Sequence, residues 1–473
     1  MQLKLFLRRI LTCLGQPFLG VSLVLIYANG NLLRSQAPAN SATPDILQDY
    51  IYGYAPMTIW ATSAIQTAVS NNTSSPGQAP FNQFSYVKQL AGPGAGLIVQ
   101  PNTDMLYTQA WLNLATEPVI LHVPATPGRY YLIPMLDAYS NVFASIGTRT
   151  TGTGAGNYAV VGPFWQGPFP DDANVTAVIK APTNTVWLLG RTLVNNPSDL
   201  AAAVAVTTQY QLIPLSAYPQ FLRTGRYTPP GNVPVVPPSS DFEALPVTNS
   251  QGFSKPEFFD ALLAYSLVNP APPDQFFGSL GLVLDGFINQ SQMTSSVASE
   301  ANLAMVLEFL LATTSKNGWS YSLQLGDYGT NYLLRATVAK FGLGANLPAD
   351  AVYLLSQADM TGAPLTGTNS YTIHFSPGQT PPAHGYWSVT VYDQNGFLVA
   401  NPINRYSAGS QTGLVSNADG SVDIFLQASE PKTMQSNWLP VPPAAFHLNL
   451  RIYWPGEAVL NGTWTPPSLS RTL

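Results

Sequence analysis

An alternating stretch near the C-terminus constrains the fold of this chain more than any other feature of its sequence. In residues 386–393, YWSVTVYD, aromatic and hydroxyl residues alternate with Trp387 and two valines. A period of two is typical of a β-strand, because successive side chains point to opposite faces of a sheet. Residues 446–453 repeat the pattern, with apolar residues alternating with His, Asn, Arg and Tyr. The last part of the chain is therefore predicted to be a β domain.

Two short turns interrupt this region. The pairs Asn395-Gly396 and Asp419-Gly420 are favoured in type I′ turns, which join antiparallel strands and need positive φ at both central residues. Another alternating run, 421–427, follows the second pair. The sequence thus predicts hairpins and an antiparallel sheet.

Length and composition predict the class of protein. With 473 residues the chain is too long for one hydrophobic core. Only 9% of the residues are charged, against an average of about 25%. The net charge of -5, without a cluster of Lys or Arg, argues against a nucleic-acid partner, because binding phosphates requires a basic face.

Short strands in the first half and helical patterns in the middle extend this prediction to the whole chain. The helical patterns include a capping box at 254–257 and an apolar run at 297–311, which predicts a helix that needs cover on all sides. Gly53 and Pro56 should break the helical pattern at 46–69. We predict a β-rich multidomain α+β fold, in which two antiparallel β-sandwich or jelly-roll-like domains are joined by a helical segment. The predicted order is a signal peptide or membrane anchor at 1–28, a linker at 29–44, an N-terminal β-sandwich domain at 45–195, a helical connecting region at 196–369 and a C-terminal antiparallel β domain at 370–473.

The N-terminal segment has the pattern of an export signal. Lys4, Arg8 and Arg9 precede an apolar run at 10–27, and Ala28 offers a small residue for cleavage. We therefore expect a secreted or cell-envelope protein, or a protein anchored in the membrane through residues 10–27 if the segment is not cleaved. The one cysteine, Cys13, lies within this run, so the cleaved product would contain no disulfide.

Several short motifs together resemble a known family. They are Gln100-Pro101-Asn102-Thr103-Asp104-x-x-Tyr107, Asp137-Ala138-Tyr139-Ser140-Asn141, Tyr332-x-x-Arg335-Ala336, Tyr386-Trp387-Ser388 and Asn437-Trp438-Leu439-Pro440. From about residue 45 onward the chain resembles the two-part family in which domain of unknown function 1254 precedes domain of unknown function 1214. The resemblance implies two β-sandwich domains joined by helices, and frequent export. It implies no established chemistry.

Charged side chains within aromatic, strand-rich stretches are the best site candidates, because an unpaired buried charge costs several kcal/mol. One interpretation is that Asp and Arg lock the turns of the sandwich in bidentate pairs. The other is a cleft in which Asp104 or Asp137 is a general acid/base and Arg149 holds an oxygen of the substrate. The catalytic candidates are Asp104, Asp137 and Arg149, and the substrate-binding candidates are Asn102, Tyr107, Arg129, Tyr139, Asn141, Trp387, Arg405 and Trp438.

The sequence predicts no metal and no organic cofactor. Its four histidines are scattered singly, without the spacing of metal ligands. Calcium is an alternative, since Asn102, Asp104, Asp137 and Asn141 offer hard oxygen ligands.

Two functions remain open at this stage. The first is an exported hydrolase-type enzyme that acts on a small polar molecule or glycan. The alternative is a non-catalytic envelope protein that binds a carbohydrate or another ligand. For either, we expect Asp104 and Arg149 to line one pocket, with Arg405 or Trp387 at its rim. The sequence does not predict an oligomeric state.

Overall fold

The computed structural model describes residues 46–72, 76–94, 100–169, 174–235, 254–272 and 275–472. The predicted signal segment and linker therefore lie outside the described residues. The helices are α1 Ile46–Thr67, α2 Leu200–Thr207, α3 Tyr218–Thr224, α4 Glu257–Val268, α5 Phe276–Ile288, α6 Ser295–Leu311, α7 Tyr332–Phe341 and α8 Glu457–Leu460. No helix in this described part is both long enough and apolar enough to cross a membrane.

The strands form four sheets. They are β1 Ser85–Tyr86, β2 Met105–Asn113, β3 Val119–Val123, β4 Tyr131–Leu136, β5 Val142–Gly147, β6 Gly156–Val161, β7 Ala177–Lys180, β8 Thr185–Leu193, β9 Gln211–Pro214, β10 Thr314–Lys316, β11 Trp319–Tyr321, β12 Ala351–Ser356, β13 Ser370–Phe375, β14 Ala383–Asp393, β15 Ser407–Gly409, β16 Val422–Gln427, β17 Trp438–Pro440, β18 Phe446–Pro455 and β19 Leu469–Thr472.

The first sandwich packs a five-stranded sheet, β1-β2-β8-β4-β5, against a four-stranded sheet, β7-β6-β3-β9. Leu112, Ile133 and Leu188 of the larger sheet meet Leu121 and Val160 of the smaller one in a single buried core. Alternate residues of each strand point into this core, as the period of two requires.

The second sandwich packs a six-stranded sheet, β10-β11-β12-β18-β14-β15, against a four-stranded sheet, β17-β16-β13-β19. Its core includes Val389 and Leu450 of the larger sheet, and Ile373 and Leu426 of the smaller one. The predicted β-rich α+β fold with two sandwich-like domains is confirmed. Most neighbouring strands are antiparallel, while β6–β7 and β16–β17 are parallel pairs.

The larger sheets of the two sandwiches also contact each other. Met105, Tyr130 and Leu193 of the first sandwich share one buried cluster with Tyr386 and Tyr453 of the second. The face of β14 and β18 that carries hydroxyl, amide and guanidinium groups is therefore buried against the first sandwich. This inter-sheet layer is polar, in contrast to the two sandwich cores.

A layer of helices covers another side of the first sandwich. Helix α1 packs against α4, α5, α6 and α7, and Tyr139 from the turn between β4 and β5 joins their shared core. The helical pattern at 46–69 was predicted to break at Gly53 and Pro56, but α1 continues through both residues. Gly53 is needed because a Cβ there would lie 2.6 Å from Leu262 on α4.

Pro56 is tolerated within α1 because its missing N–H is replaced from another helix. A proline leaves the carbonyl four residues earlier, that of Tyr52, without its helical donor. Nη2 of Arg335 on α7 donates to this carbonyl at 3.0 Å. A local rule predicted a helix break, and a long-range hydrogen bond prevents it.

The segment 196–369 contains strands as well as helices. Strand β9 pairs with β3 of the first sandwich, and β10, β11 and β12 complete the six-stranded sheet of the second. The predicted connecting region thus supplies strands to both sandwiches. Helix α1, which we assigned to the N-terminal β domain, belongs to the helical layer.

Three local predictions were wrong. The predicted capping box does not form, because α4 begins after Pro256 without a side-chain hydrogen bond to its first turn. The two predicted type I′ turns do not form, because Gly396 and Gly420 have positive φ whereas Asn395 and Asp419 do not. The apolar helix α6 is not covered on all sides, since it buries Ala298, Ala301 and Met305 and leaves Leu311 75% exposed.

Candidate functional site

The inter-sheet layer contains a cluster of phenol, guanidinium and amide groups. We call this the seam cluster, and it consists of Asn102, Tyr107, Arg191, Tyr353, Tyr386, Arg451 and Tyr453. Strand pairing brings most of these residues together in register. Tyr107 lies opposite Arg191 on β2 and β8, and Tyr453 of β18 lies opposite Tyr386 of β14.

Arg191 is held by backbone carbonyls and ring faces rather than by a carboxylate. Its guanidinium carbon lies 5.7 Å from the centre of the Tyr107 ring. Nη1 donates to the Leu189 carbonyl at 3.0 Å and to Asn346 Oδ1 at 3.2 Å, and Nη2 donates to the Gly344 carbonyl at 3.4 Å. Nε is buried and has no hydrogen-bond partner among the described residues. Arg191, a residue only 7% exposed, thus keeps one unsatisfied donor.

Arg451 lies on β18 opposite Tyr353 of β12 and is 3% exposed. Nη1 donates to the Thr390 hydroxyl at 3.0 Å, and Nη2 donates to the Gln100 carbonyl at 2.7 Å. Its guanidinium carbon also lies 5.6 Å from the centre of the Tyr392 ring. All of these partners are neutral.

The seam cluster therefore holds two positive charges without a paired carboxylate. Within the described ranges, carboxylates pair with Arg129, Arg149 and His374, none of which belongs to the cluster. Burial raises the pKa of Tyr107 and of Tyr453, and both seam guanidiniums lie close enough to these phenols to oppose the shift. A buried charge without a counter-ion is unfavourable by several kcal/mol. The site is thus suited to an anion.

The phenols of the cluster are neutral donors. The rings of Tyr386 and Tyr453 stack with centres 4.8 Å apart, and Asn102 Nδ2 donates to both hydroxyls at 2.9 and 3.1 Å. Burial raises the pKa of both phenols above the ordinary value, although nearby guanidiniums act in the opposite direction. At neutral pH each phenol keeps its proton and can donate it in a hydrogen bond.

Two strained residues border the cluster. Gln100 has φ +51° and Trp454 has φ +49°, although neither is a glycine. The Gln100 carbonyl accepts a hydrogen bond from Arg451 Nη2, and the Trp454 N–H donates to the Asp350 carbonyl at 2.8 Å. Positive φ in a large side chain costs about 1–3 kcal/mol and is frequent at functional sites.

Tyr107 and Tyr353 keep part of their surface exposed, whereas the other members of the cluster are buried. Buried Asn346 links one of these phenols to a guanidinium. Its Nδ2 donates to the Tyr353 hydroxyl at 2.5 Å, while its Oδ1 accepts from Arg191. A neutral oxygen thus occupies the position that a carboxylate oxygen of a ligand could take.

Asn102, Asp104 and Tyr107 were predicted from sequence and lie at this layer. Asp104 is buried, and its two carboxylate oxygens accept from Ser388 Oγ at 2.6 Å and Ser407 Oγ at 2.7 Å. The carboxylate therefore ties the first sandwich to β14 and β15 of the second. Both of its oxygens are already engaged, which does not favour a role as general base.

The structure does not bring Arg149 to Asp104. Arg149 Nε donates to Asp350 Oδ1 at 2.6 Å, and Ser145 Oγ donates to the other oxygen at 3.0 Å. Asp104 and Arg149 thus belong to separate hydrogen-bond networks, contrary to the single pocket that we expected. Arg149 forms an Asp–Arg pair through Nε alone, whereas Asp104 is bound by two serine hydroxyls and not by an arginine.

Four other predicted residues have structural contacts. Arg129 forms a bidentate ion pair with Asp199, at 2.5 and 2.7 Å. Arg405 donates to three backbone carbonyls, those of Gln435, Ser436 and Trp438. Trp438 is buried and donates to the Gln427 carbonyl, and Trp387 points into the core of the second sandwich. Neither Arg405 nor Trp387 therefore forms the rim of a pocket at Asp104.

Asp137, Tyr139 and Asn141 form a buried turn beneath the helical layer. Asp137 Oδ1 accepts from the backbone N–H groups of Tyr139 and Asn141, both at 2.9 Å. Burial raises the pKa of Asp137 to about 6, although these hydrogen bonds oppose the shift. Asp137 and Asp104 share no hydrogen-bond partner among the described residues.

Sequence reasoning missed most of the cluster. Arg191 lies in a mostly apolar strand, and Arg451 lies on the polar face already visible at 446–453. The sequence feature that could have identified these two arginines is the scarcity of charged residues in this chain. What could not be seen was that strands β8 and β18 face each other.

The fold and the site define a β-rich protein of two sandwiches, whose facing sheets enclose a layer of tyrosines and arginines. The family model described as Protein of unknown function (DUF1254) matches residues 81–214, and the model described as Protein of unknown function (DUF1214) matches 350–457. The chain therefore belongs to the two-part family that carries these domains in this order, as the motifs predicted.

One solved structure supports the fold. The chain is similar to the VPA0106 protein from Vibrio parahaemolyticus, with 24% identity and a TM-score of 0.61 over 91% of this chain and 99% of that one. A putative uncharacterized protein from Burkholderia cenocepacia aligns over 95% and 93% of the two chains, with 13% identity and a TM-score of 0.42. No curated protein matches the chain.

Proposed function

We propose that this chain is an exported binding protein, and that the seam cluster binds the carboxylate of a small planar molecule. The observation that carries the proposal is the pair of buried guanidiniums, Arg191 and Arg451, which have no paired carboxylate within the described part of the chain. A bound carboxylate would supply the missing negative charge. It would also accept a hydrogen bond from the unsatisfied Arg191 Nε.

The rest of the cluster supports a planar ligand. One tyrosine ring lies at each guanidinium, Tyr107 at Arg191 and Tyr392 at Arg451, and neutral phenols offer O–H donors for a carboxylate or a ring hydroxyl. Aromatic side chains bind flat, apolar surfaces well and keep a polar tip for recognition. An aromatic carboxylate such as benzoate is the simplest probe that combines both features.

Binding is favoured over the hydrolase-type activity that relies on carboxylate acid/base catalysis. Asp104 accepts hydrogen bonds at both oxygens, and Arg149 is engaged by Asp350. Neither side chain is free to abstract a proton or to hold a substrate in the described conformation. The ligand-binding alternative requires no such group.

The first test compares benzoate with benzamide, which has nearly the same shape and no charge. We expect benzoate to raise the melting temperature of the protein, because a ligand at 100 times its Kd adds about 2.7 kcal/mol. Benzamide should have little effect. Arg191→Met should weaken benzoate binding by about tenfold or more, since a hydrogen bond to a charged group contributes about 1.5–3 kcal/mol. Calorimetric titration measures both affinities.

Two further variants sharpen this test. Asn346→Asp would place a carboxylate beside Arg191, so it should stabilise the ligand-free protein and abolish the response to benzoate. Arg405→Met removes an arginine that binds carbonyls outside the seam cluster, so it should keep the full response. Equal binding of benzoate and benzamide, or an unchanged affinity in Arg191→Met, would refute the proposal.

Export is a separate part of the proposal, supported by the basic residues ahead of the apolar run at 10–27. We expect the mature protein to begin near Asn29 and to be found outside the cytoplasm. N-terminal sequencing of protein from fractionated cells measures this. Recovery of residues 10–27 in the membrane fraction would favour the anchor instead. An intact Met1 on cytoplasmic protein would contradict export.

A further inference from the structure

Another buried arginine lies in the helical layer, outside the seam cluster. Arg335 on α7 is fully buried, and its guanidinium carbon lies 4.9 Å from the ring centres of both Tyr52 and Tyr332 and 5.4 Å from that of Tyr139. We call Tyr52, Tyr139, Ser279, Tyr332 and Arg335 the Arg335 cluster. It unites two family-like motifs, 137–141 and 332–336, that the seam cluster does not use.

Only one of the three guanidinium nitrogens of Arg335 makes a hydrogen bond to a described residue. Nη2 replaces the helical donor that Pro56 lacks, as described above. Nε and Nη1 are buried and make no hydrogen bond to any described residue. Asp137 interacts with Arg335 electrostatically, but it is not among the ion pairs of the described chain. Two donors of a charged group thus remain without an acceptor.

Hydroxyl groups around the arginine are unsatisfied as well. Burial raises the pKa of Tyr52, and Ser279 on α5 and Tyr139 partly oppose this as weak hydrogen-bonding neighbours of its hydroxyl. Neither the Tyr52 hydroxyl nor Ser279 Oγ makes a hydrogen bond within the described ranges, although both are buried. Buried polar groups are nearly always paired, so several unpaired ones around one guanidinium need an explanation. A ligand that accepts hydrogen bonds would satisfy all of them.

We propose that the Arg335 cluster is a second ligand site, which binds a small oxyanion between α1, α5 and α7. Arg335 supplies the charge and two donors, and the hydroxyls of Tyr52 and Ser279 complete the set. In this conformation the unpaired atoms are closed off from water, so binding of the oxyanion requires the helical layer to open. The site is independent of the seam cluster and of the function proposed for it.

Ser279→Ala is the variant that separates a ligand site from a structural role. Because Ser279 Oγ has no partner, its removal should leave the melting temperature of the ligand-free protein unchanged or raise it. With sodium formate as the probe, and sodium chloride at equal ionic strength as the control, the same variant should bind formate about fivefold more weakly. Tyr52→Phe should behave in the same way. Ser63→Ala removes a hydroxyl that donates to the Trp60 carbonyl on α1, and it should keep formate affinity.

Hydrogen exchange of the wild-type protein locates the site without any substitution. Formate should slow amide exchange in α5 and α7, and it should do so also in Arg191→Met, which affects only the seam cluster. The proposal is overturned if formate protects neither helix. It is equally overturned if Ser279→Ala lowers the melting temperature and leaves formate affinity unchanged, because the hydroxyl would then be part of the structure alone.

Discussion

Arg149→Met is expected to lower the free energy of unfolding by about 3–5 kcal/mol, because it leaves a buried carboxylate without its counter-ion. The Asp350 side chain is fully buried, while that of Arg149 is 26% exposed. The pair connects the end of β5 in the first sandwich to the start of β12 in the second. Urea denaturation measures the loss, with the slope of the transition as a check on two-state behaviour.

Two controls accompany this variant. Arg149→Met combined with Asp350→Asn should recover part of the loss, since a neutral amide no longer needs a cation. Arg223→Met removes an exposed arginine and should change stability by less than about 0.5 kcal/mol. A loss below about 1 kcal/mol in Arg149→Met would mean that solvent reaches Asp350 and that the pair does not hold the sandwiches together.

Asp104→Ala should destabilise the protein by about 3 kcal/mol or more. The change removes two hydrogen bonds to a charged acceptor, each of which contributes about 1.5–3 kcal/mol, and leaves the hydroxyls of Ser388 and Ser407 buried. Asp104→Asn should cost less, since its amide can still accept from one serine and donate to the other. Chemical denaturation of both variants tests this order.

Benzoate affinity decides what the Asp104 carboxylate does. If it is a structural link, Asp104→Asn should retain most of its affinity for benzoate. Unchanged stability together with complete loss of binding would instead support the functional role that the sequence first indicated. Arg405→Met is the matched control, because its side chain contacts neither Asp104 nor the seam cluster.

The fold was predicted from sequence where local rules decide it. The period of two at 386–393 and 446–453 correctly predicted strands β14 and β18, and it correctly separated their two faces. Asn196 caps the helical segment that begins at Pro197, as its side chain and position indicate. Pattern and propensity act over a few residues, so the sequence contains this information directly.

The site could be predicted only in part, because it is assembled from distant residues. Asn102 and Tyr107 were named from sequence, yet their partners Tyr386 and Arg451 lie roughly 280–340 positions later. The continuity of α1 through Pro56 likewise depends on Arg335 in another helix. Hydrophobic periodicity along the sequence does not predict which strands will face each other. Because charged residues are scarce in this sequence, the ones that are present indicate that a site exists. They do not indicate which of them will lie close together.

The facing sheets also affect how the protein is made. The outer face of the first sandwich, with Met105 and Leu193, is covered by β18, which ends roughly 260 residues after β8. At a synthesis rate of about 5–20 residues per second, this face stays uncovered for roughly 13–50 s, until β18 has been synthesised. During that time the nascent first sandwich exposes apolar and cationic surface to chaperones. Its ribosome-bound form is thus a vulnerable stage in biosynthesis, and slowing elongation after β8 should increase aggregation.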